Sequence, residues 1–234
     1  MRNKMTTISS EINVLNHGSI RLVEHMGSDL SIVRAARTSY AAEWRTGEDD
    51  GKDAKLINYL VEHQHTSPLE AVTLTFDVHL PIFVARQWMR HRTQSYSEVS
   101  ARYAELPEEF YVPDSDQITT QHASNKQMRT DTQHPMADVI RIAIEVQCRD
   151  AFALYKKLIA MGAPRELARG VLPLNTYTHF FCTMNLLNLM KFCKLRMHSH
   201  AQYEIQVYAE AMFNLAKQVA PVTVAAVEKH WLTA

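Results

Sequence analysis

Val72-Thr73-Leu74-Thr75-Phe76-Asp77-Val78-His79-Leu80 alternates large apolar residues with polar or small ones. Successive side chains of an extended strand leave on opposite faces. This stretch therefore reads as a β-strand with one face in a core and the other nearer water. Pro81 suits the first position of a helix, so the strand is expected to pass into a helix from Ile82 to about Arg92. On the other side, Pro68 disfavours helical geometry at Ser67. His63-Gln64-His65-Thr66-Ser67-Pro68 thus ends an earlier helix whose Leu56, Ile57, Leu60 and Val61 follow the helical repeat.

The same reasoning extends to both ends of the chain. Ile12, Val14, Ile20, Leu22 and Val23 are spaced for two short strands around the turn Asn16-His17-Gly18. Ser28 offers an N-cap for a helix over Leu30–Tyr40, and Thr46-Gly47-Glu48-Asp49-Asp50-Gly51 reads as a surface loop. The polar stretch at about 113–135 lacks periodicity and is expected to be a mobile surface loop. A long helix over about Met136–Met161 should end at Gly162, and Pro164 should start a short one through Arg169. Tyr177, His179, Phe181 and Thr183 suggest another strand; Leu186–Arg196 and His200–Val219 read as helices. With neither repeat nor linker, the expectation is one α+β domain over 1–234, a central, mainly antiparallel sheet packed against several helices.

Composition narrows the function classes. An apolar fraction of 46% and a charged fraction of 21% are those of an ordinary globular protein. The formal charge of +0 offers no whole-molecule field for nucleic acid or an anionic membrane, so local cations must meet any bound anion. Met1-Arg2-Asn3-Lys4-Met5-Thr6-Thr7 lacks the apolar run of a signal peptide, and no stretch is apolar for long enough to span a membrane. Cys148, Cys182 and Cys193 form no C-x-x-C pair and read as reduced, buried thiols, which places the protein in the cytoplasm. The pairs His63/His65 and His198/His200 lack a third ligand at a familiar spacing, so no metal is expected. Neither a G-x-G-x-x-G nor a P-loop motif is present.

Chemistry concentrates in Arg86-Gln87-Trp88-Met89-Arg90-His91-Arg92-Thr93-Gln94-Ser95-Tyr96-Ser97-Glu98-Val99-Ser100-Ala101-Arg102-Tyr103. On a continuing helix Arg86, Gln87, Arg90 and His91 would share one side, with Ile82, Ala85, Trp88 and Met89 on the other. Cations at a helix C-terminus have an ordinary use, since they complement the dipole. Guanidinium groups followed by small hydroxyls and a carboxylate also suit a nucleotide, with its phosphate, sugar hydroxyls and base edge.

Arg90-His91-Arg92, seven further residues and Ser100 resemble the R-H-R-x7-S signature of flavin-dependent thymidylate synthases. The resemblance extends to Ser31–Arg37, His63–Glu70, Pro164–Arg169, Leu172–Asn175, Leu195-Arg196 and Ser199–Gln202, leaving out the polar loop and the two termini. It implies reductive methylation of dUMP to dTMP, with methylenetetrahydrofolate as one-carbon donor and NADPH as reductant through FAD, without a cysteine nucleophile. It further implies a homotetramer with shared active sites. Gln87, Arg90, Glu98, Ser100, Ala101, Arg102, Arg169 and Arg196 match the positions that hold dUMP, and Arg196 the one that polarises the uracil ring. Ser67, Arg90, His91, Arg92, Glu98, Asn185 and Lys191 match FAD positions, and His65 lies near flavin and folate. Ser97 stands where the family usually has Asn, Ser67 where it often has Thr, and Lys191 where Asn or His is usual.

Two other classes are weaker. A nucleic-acid module is poorly served by zero net charge and scattered aromatics, and a purely structural oligomer leaves the Arg/Ser/Glu cluster without a purpose. The cysteine-dependent thymidylate synthases place their nucleophile after a proline, and no cysteine here follows one.

Overall fold

The computed structural model describes residues 11–42, 45–47 and 51–232. The expected loop at Thr46–Gly51 has its residues 48–50 outside the described residues. Five strands form one sheet in the order β1-β2-β3-β7-β4: β1 (Ile12–Val14), β2 (Gly18–Met26), β3 (Thr73–Pro81), β7 (Tyr177–Asn185) and β4 (Ser95–Glu98). Every pairing is antiparallel, so the chain is α+β as its sequence predicts.

β3 lies in the middle because its pattern demands a partner on both edges and a core beneath. Leu74, Phe76, Val78 and Leu80 are fully buried, as are the inward residues Phe180 and Cys182 of β7. The main core fills out with α6 (Leu186–Arg196), α7 (Tyr203–Ala216) and α8 (Pro221–Val227), through Leu189, Phe192, Tyr208, Phe213 and Val224. On the outer face, the hydroxyls of Thr75 and Thr183 pair across the strands at 2.9 Å. Arg21 meets Asp77 there at 2.7 Å.

α1 (Asp29–Thr38) starts after Ser28, and α2 (Lys52–Glu62) ends at His63. α4 (Ala137–Ala160) ends just before Gly162, whose φ of +84° is the left-handed geometry that glycine tolerates. α5 (Arg165–Ala168) follows Pro164. α4 carries a smaller cluster of Phe110, Cys148, Phe152, Tyr155 and Ala168.

Four elements depart from the expectation. α3 (Ile82–Trp88) is shorter than predicted, with Pro81 still in the strand. The serine-rich segment Ser95–Glu98, for which no strand is expected, is an edge strand. The 113–135 stretch contains a two-stranded hairpin, β5 (Thr119–Gln121) with β6 (Arg129–Gln133). Arg129 anchors it, donating from Nη1 to the buried Glu204 carboxylate at 3.3 Å. The last predicted helix starts at Tyr203 rather than His200 and stops at Ala216. α8 then begins at Pro221, and the Asp29 carboxylate accepts from the Val222 and Thr223 N–H groups, both at 2.9 Å. A cap supplied from the other end of the sequence leaves no local signal.

Candidate active site

α3 buries Val84, Ala85 and Trp88 on one side. Its early end moves Arg90, His91 and Arg92 off the helix into the turn before β4. The shared-face argument made for a continuing helix therefore does not apply to Arg90 and His91. Trp88 shows why the chain turns: its indole N–H donates to Gln94 Oε1 at 2.9 Å. The same oxygen accepts from the Tyr96 hydroxyl at 2.9 Å and the Cys182 thiol at 3.2 Å. Gln94 thus closes the turn that displays Arg90 and Arg92 to solvent. Sequence reasoning did not single out Gln94, because an amide earns this role only once its donors have been brought together.

Arg196, the last residue of α6, reaches this turn. Its Nε–H donates to His91 Nε2 at 3.0 Å and its Nη2 to the Gln87 carbonyl at 3.2 Å. The guanidinium thus ties the end of α6 to the last turn of α3. Leu186, Leu189 and Met190 are buried and fix the helix, whereas Leu195 is exposed and contributes nothing to that hold. Nε2 accepts only while the imidazole is neutral. Burial first, and the Arg196 charge second, push His91 from 6.5 down to about 4. Gln87 adds a side-chain hydrogen bond to Gln202. The structure therefore brings Gln87, His91 and Arg196 together.

A second group lines a cavity of about 390 Å³. Glu98, Ser100, Ala101 and Arg169 share its wall with Thr178, between apolar residues that include Ile82, Leu106 and Leu172. Glu98 ends β4, and its Oε1 accepts from the Thr178 hydroxyl at 2.6 Å. Ser100 then opens a turn, its carbonyl accepting from Tyr103 N–H at 2.9 Å and its Oγ from Arg102 N–H at 3.3 Å. Arg102 Nε lies 3.6 Å from Glu166 Oε2 on α5, the helix that leads into Arg169. Gln87, Arg90, His91, Arg92 and Arg196 are not among the residues lining this cavity.

The remaining predicted residues lie elsewhere. Ser67 is exposed at the start of a short 3-10 turn (Ser67–Ala71) that packs on α6. Asn185 caps α6, its Oδ1 accepting from Asn188 N–H at 2.9 Å, which leaves its amide N–H₂ to donate. Lys191 is exposed on α6, and the exposed His65 ring lies 5.8 Å from that of Tyr59. Between the β5–β6 hairpin and the Ser199–Gln206 segment lies a polar cavity of about 480 Å³. An apolar one of about 680 Å³ lies beside α4.

None of the cysteines is set up as a nucleophile. All three are buried. Burial raises the Cys148 and Cys193 thiols, and pushes Cys182 up to about 12. Among the described residues no group of three or more His, Cys, Asp or Glu side chains could hold a metal ion. No described helix is long and apolar enough to cross a membrane.

Residues 21–222 match the family described as thymidylate synthase complementing protein. A flavin-dependent thymidylate synthase from Treponema denticola is 45% identical over 225 residues, covering 95% of this chain and 84% of that protein. One from Thermosipho africanus is 44% identical over 213 residues, 91% of this chain and 92% of that one. Among solved structures, the UMP/dUMP methylase PolB from Streptomyces cacaoi, bound with 5-Br dUMP, superposes with a TM-score of 0.85. It is 36% identical, over 94% of this chain and 99% of that one.

Proposed function

The chain belongs to the flavin-dependent thymidylate synthase family, and we propose that it methylates dUMP to dTMP with FAD, NADPH and methylenetetrahydrofolate. One observation carries the residue-level reading. Of the dUMP positions that the resemblance implies, Glu98, Ser100, Ala101 and Arg169 line one cavity, while Gln87 and Arg196 meet the FAD-position residue His91 around a half-buried guanidinium.

Arg169, with Arg102 beside it, takes the nucleotide phosphate, where a planar guanidinium can grip two oxygens at once. Glu98 and Ser100 hold the sugar and base edge. Arg196 stays protonated at any working pH and is held at two points. It faces the uracil ring as a fixed positive charge where negative charge develops, so that C5 becomes nucleophilic towards the one-carbon unit. The raised thiols leave no protein thiolate for this task.

The donor set suits an anionic dinucleotide. Arg90, Arg92 and Lys191 are exposed cations, Ser67 adds a hydroxyl, and Asn185 adds the amide that capping leaves free. These residues and His91 would hold FAD, with His65 beside the flavin and folate. When bound, FAD supplies the reducing equivalents that come from NADPH.

The chain works as a homotetramer in the cytoplasm, as one domain over 1–234. Each active site joins the cavity of one subunit to the Arg196 cluster of another. This reading is supported by the division of the site residues into two groups, only one of which lines the cavity. The test is dTMP formation from dUMP with FAD, NADPH and methylenetetrahydrofolate, each omitted in turn. Turnover requiring all of them supports the proposal; turnover without flavin, or none with the complete mixture, refutes it.

A further inference from the structure

Thr178 occupies a position that β-strand alternation assigns to the core. It shares the inward face of β7 with Phe180, Cys182 and Met184, and is 4% exposed. A hydroxyl in that row must find an acceptor or leave an unpaired donor in a dry place. Thr176, also fully buried, has no partner for its Oγ1 among the described residues, so burial nearby does not by itself supply one. Thr178 has an acceptor, the Glu98 carboxylate at 2.6 Å.

The sheet explains how the two meet. Glu98 pairs with Phe180 as β4 ends, and the chain leaves the ladder after Val99 N–H donates to the His179 carbonyl at 2.9 Å. Thr178 is the diagonal neighbour of Glu98, within reach of its side chain. On its other edge Thr178 is paired with Leu80 of β3, so its backbone is fixed by an interior strand. Both side chains line the 390 Å³ cavity. An ionised carboxylate only accepts, and one Glu98 oxygen is engaged by the hydroxyl. The other is then presented in one orientation to a donor on whatever occupies the cavity.

We propose that Thr178 is a positioning residue for the nucleotide, acting through Glu98: its hydroxyl fixes the carboxylate so that the second oxygen accepts from a sugar hydroxyl or ring N–H of the substrate. This rests on the dUMP-methylating reading above. A carboxylate on the last residue of an edge strand would otherwise sample several rotamers and have to be ordered when substrate binds.

The experiment uses the FAD-loaded enzyme with dUMP as the probe. Thr178→Val keeps the shape and removes the donor. It should raise the KM for dUMP about tenfold or more, the scale of a hydrogen bond to a charged group, while kcat at saturating dUMP and flavin content stay within about threefold. Thr178→Ser keeps the donor and should return KM to within about threefold of wild type. In a Glu98→Ala background the Thr178→Val change should add less than about twofold. A wild-type KM in Thr178→Val, or an undiminished further loss in the Glu98→Ala background, overturns the proposal. If Thr178→Val does not fold, Thr178→Ala against Thr178→Ser makes the same comparison. Failure of the wild type to methylate dUMP would defeat the wider reading before any variant is needed.

Discussion

The cavity around Glu98 and the cluster around Arg196 are built in opposite ways. In the cavity, groups from β4, β7 and the turn after α5 line about 390 Å³ of open space, and its carboxylate is already oriented by Thr178. Around Arg196 the guanidinium is tied to His91 and Gln87, while Arg90 and Arg92 beside it stand in solvent. The first region is shaped to receive a ligand within one chain. The second is an anchored charge with exposed cations at its edge, which on the shared-site proposal another subunit completes. The difference separates a guanidinium held by two neutral partners from the exposed arginines beside it, while Arg102 near the cavity is paired with Glu166.

The contrast breaks most visibly at Arg196. Arg196→Ala should lower kcat by about 10²–10³ with FAD still bound, because a preorganised charge is lost where the ring becomes negative. Steady-state kinetics on the flavin-loaded variant check this; near-normal turnover would return Arg196 to a structural role. Arg92→Ala should act on binding instead. Loss of one charge-assisted hydrogen bond costs about 1.5–3 kcal/mol, or roughly ten- to a hundredfold in FAD affinity. Flavin retained on dilution shows the change, and the melting temperature should hardly move, since Arg92 is exposed.

The smallest effect concerns pH. His91 titrates at about 4 in the folded chain against an ordinary 6.5, so the unfolded chain binds its proton more readily. Stability contributed by the neutral ring is complete above about 6.5 and falls as pH drops through the window towards about 4. His91→Gln should flatten that part of the curve of melting temperature against pH, while Arg196 keeps an acceptor. An unchanged acid slope would mean that His91 is not held neutral by burial and Arg196.

Much of this was legible in the sequence, for identifiable reasons. β3 and β7 could be read because alternation is local, and the end of α4 because Gly162 is a local stop. The cations Arg90 and Arg92 stand out because charge beside apolar helix is conspicuous, whereas Arg196 is marked only by the family resemblance. β4 was not legible, since four polar residues become a strand only by pairing with β7, which lies some eighty positions on. The hairpin at 119–133 hangs on Arg129 finding Glu204, and α8 on a cap from Asp29. Gln94 and Thr178 escaped for the same reason. An amide and a hydroxyl carry no signal of their own until the sheet decides what they touch.

Mixing two damaged enzymes would decide whether these regions are halves of one site. Arg169→Ala removes the phosphate grip from the cavity, and Arg196→Ala removes the charge from the cluster. Co-expressed, the two variants should form mixed tetramers in which some sites combine an intact cavity with an intact cluster. The dTMP-forming activity of the mixture should then rise well above that of either variant alone. A mixture that exchanges subunits yet stays as inactive as its parents would show that cavity and cluster of a single chain serve the same site.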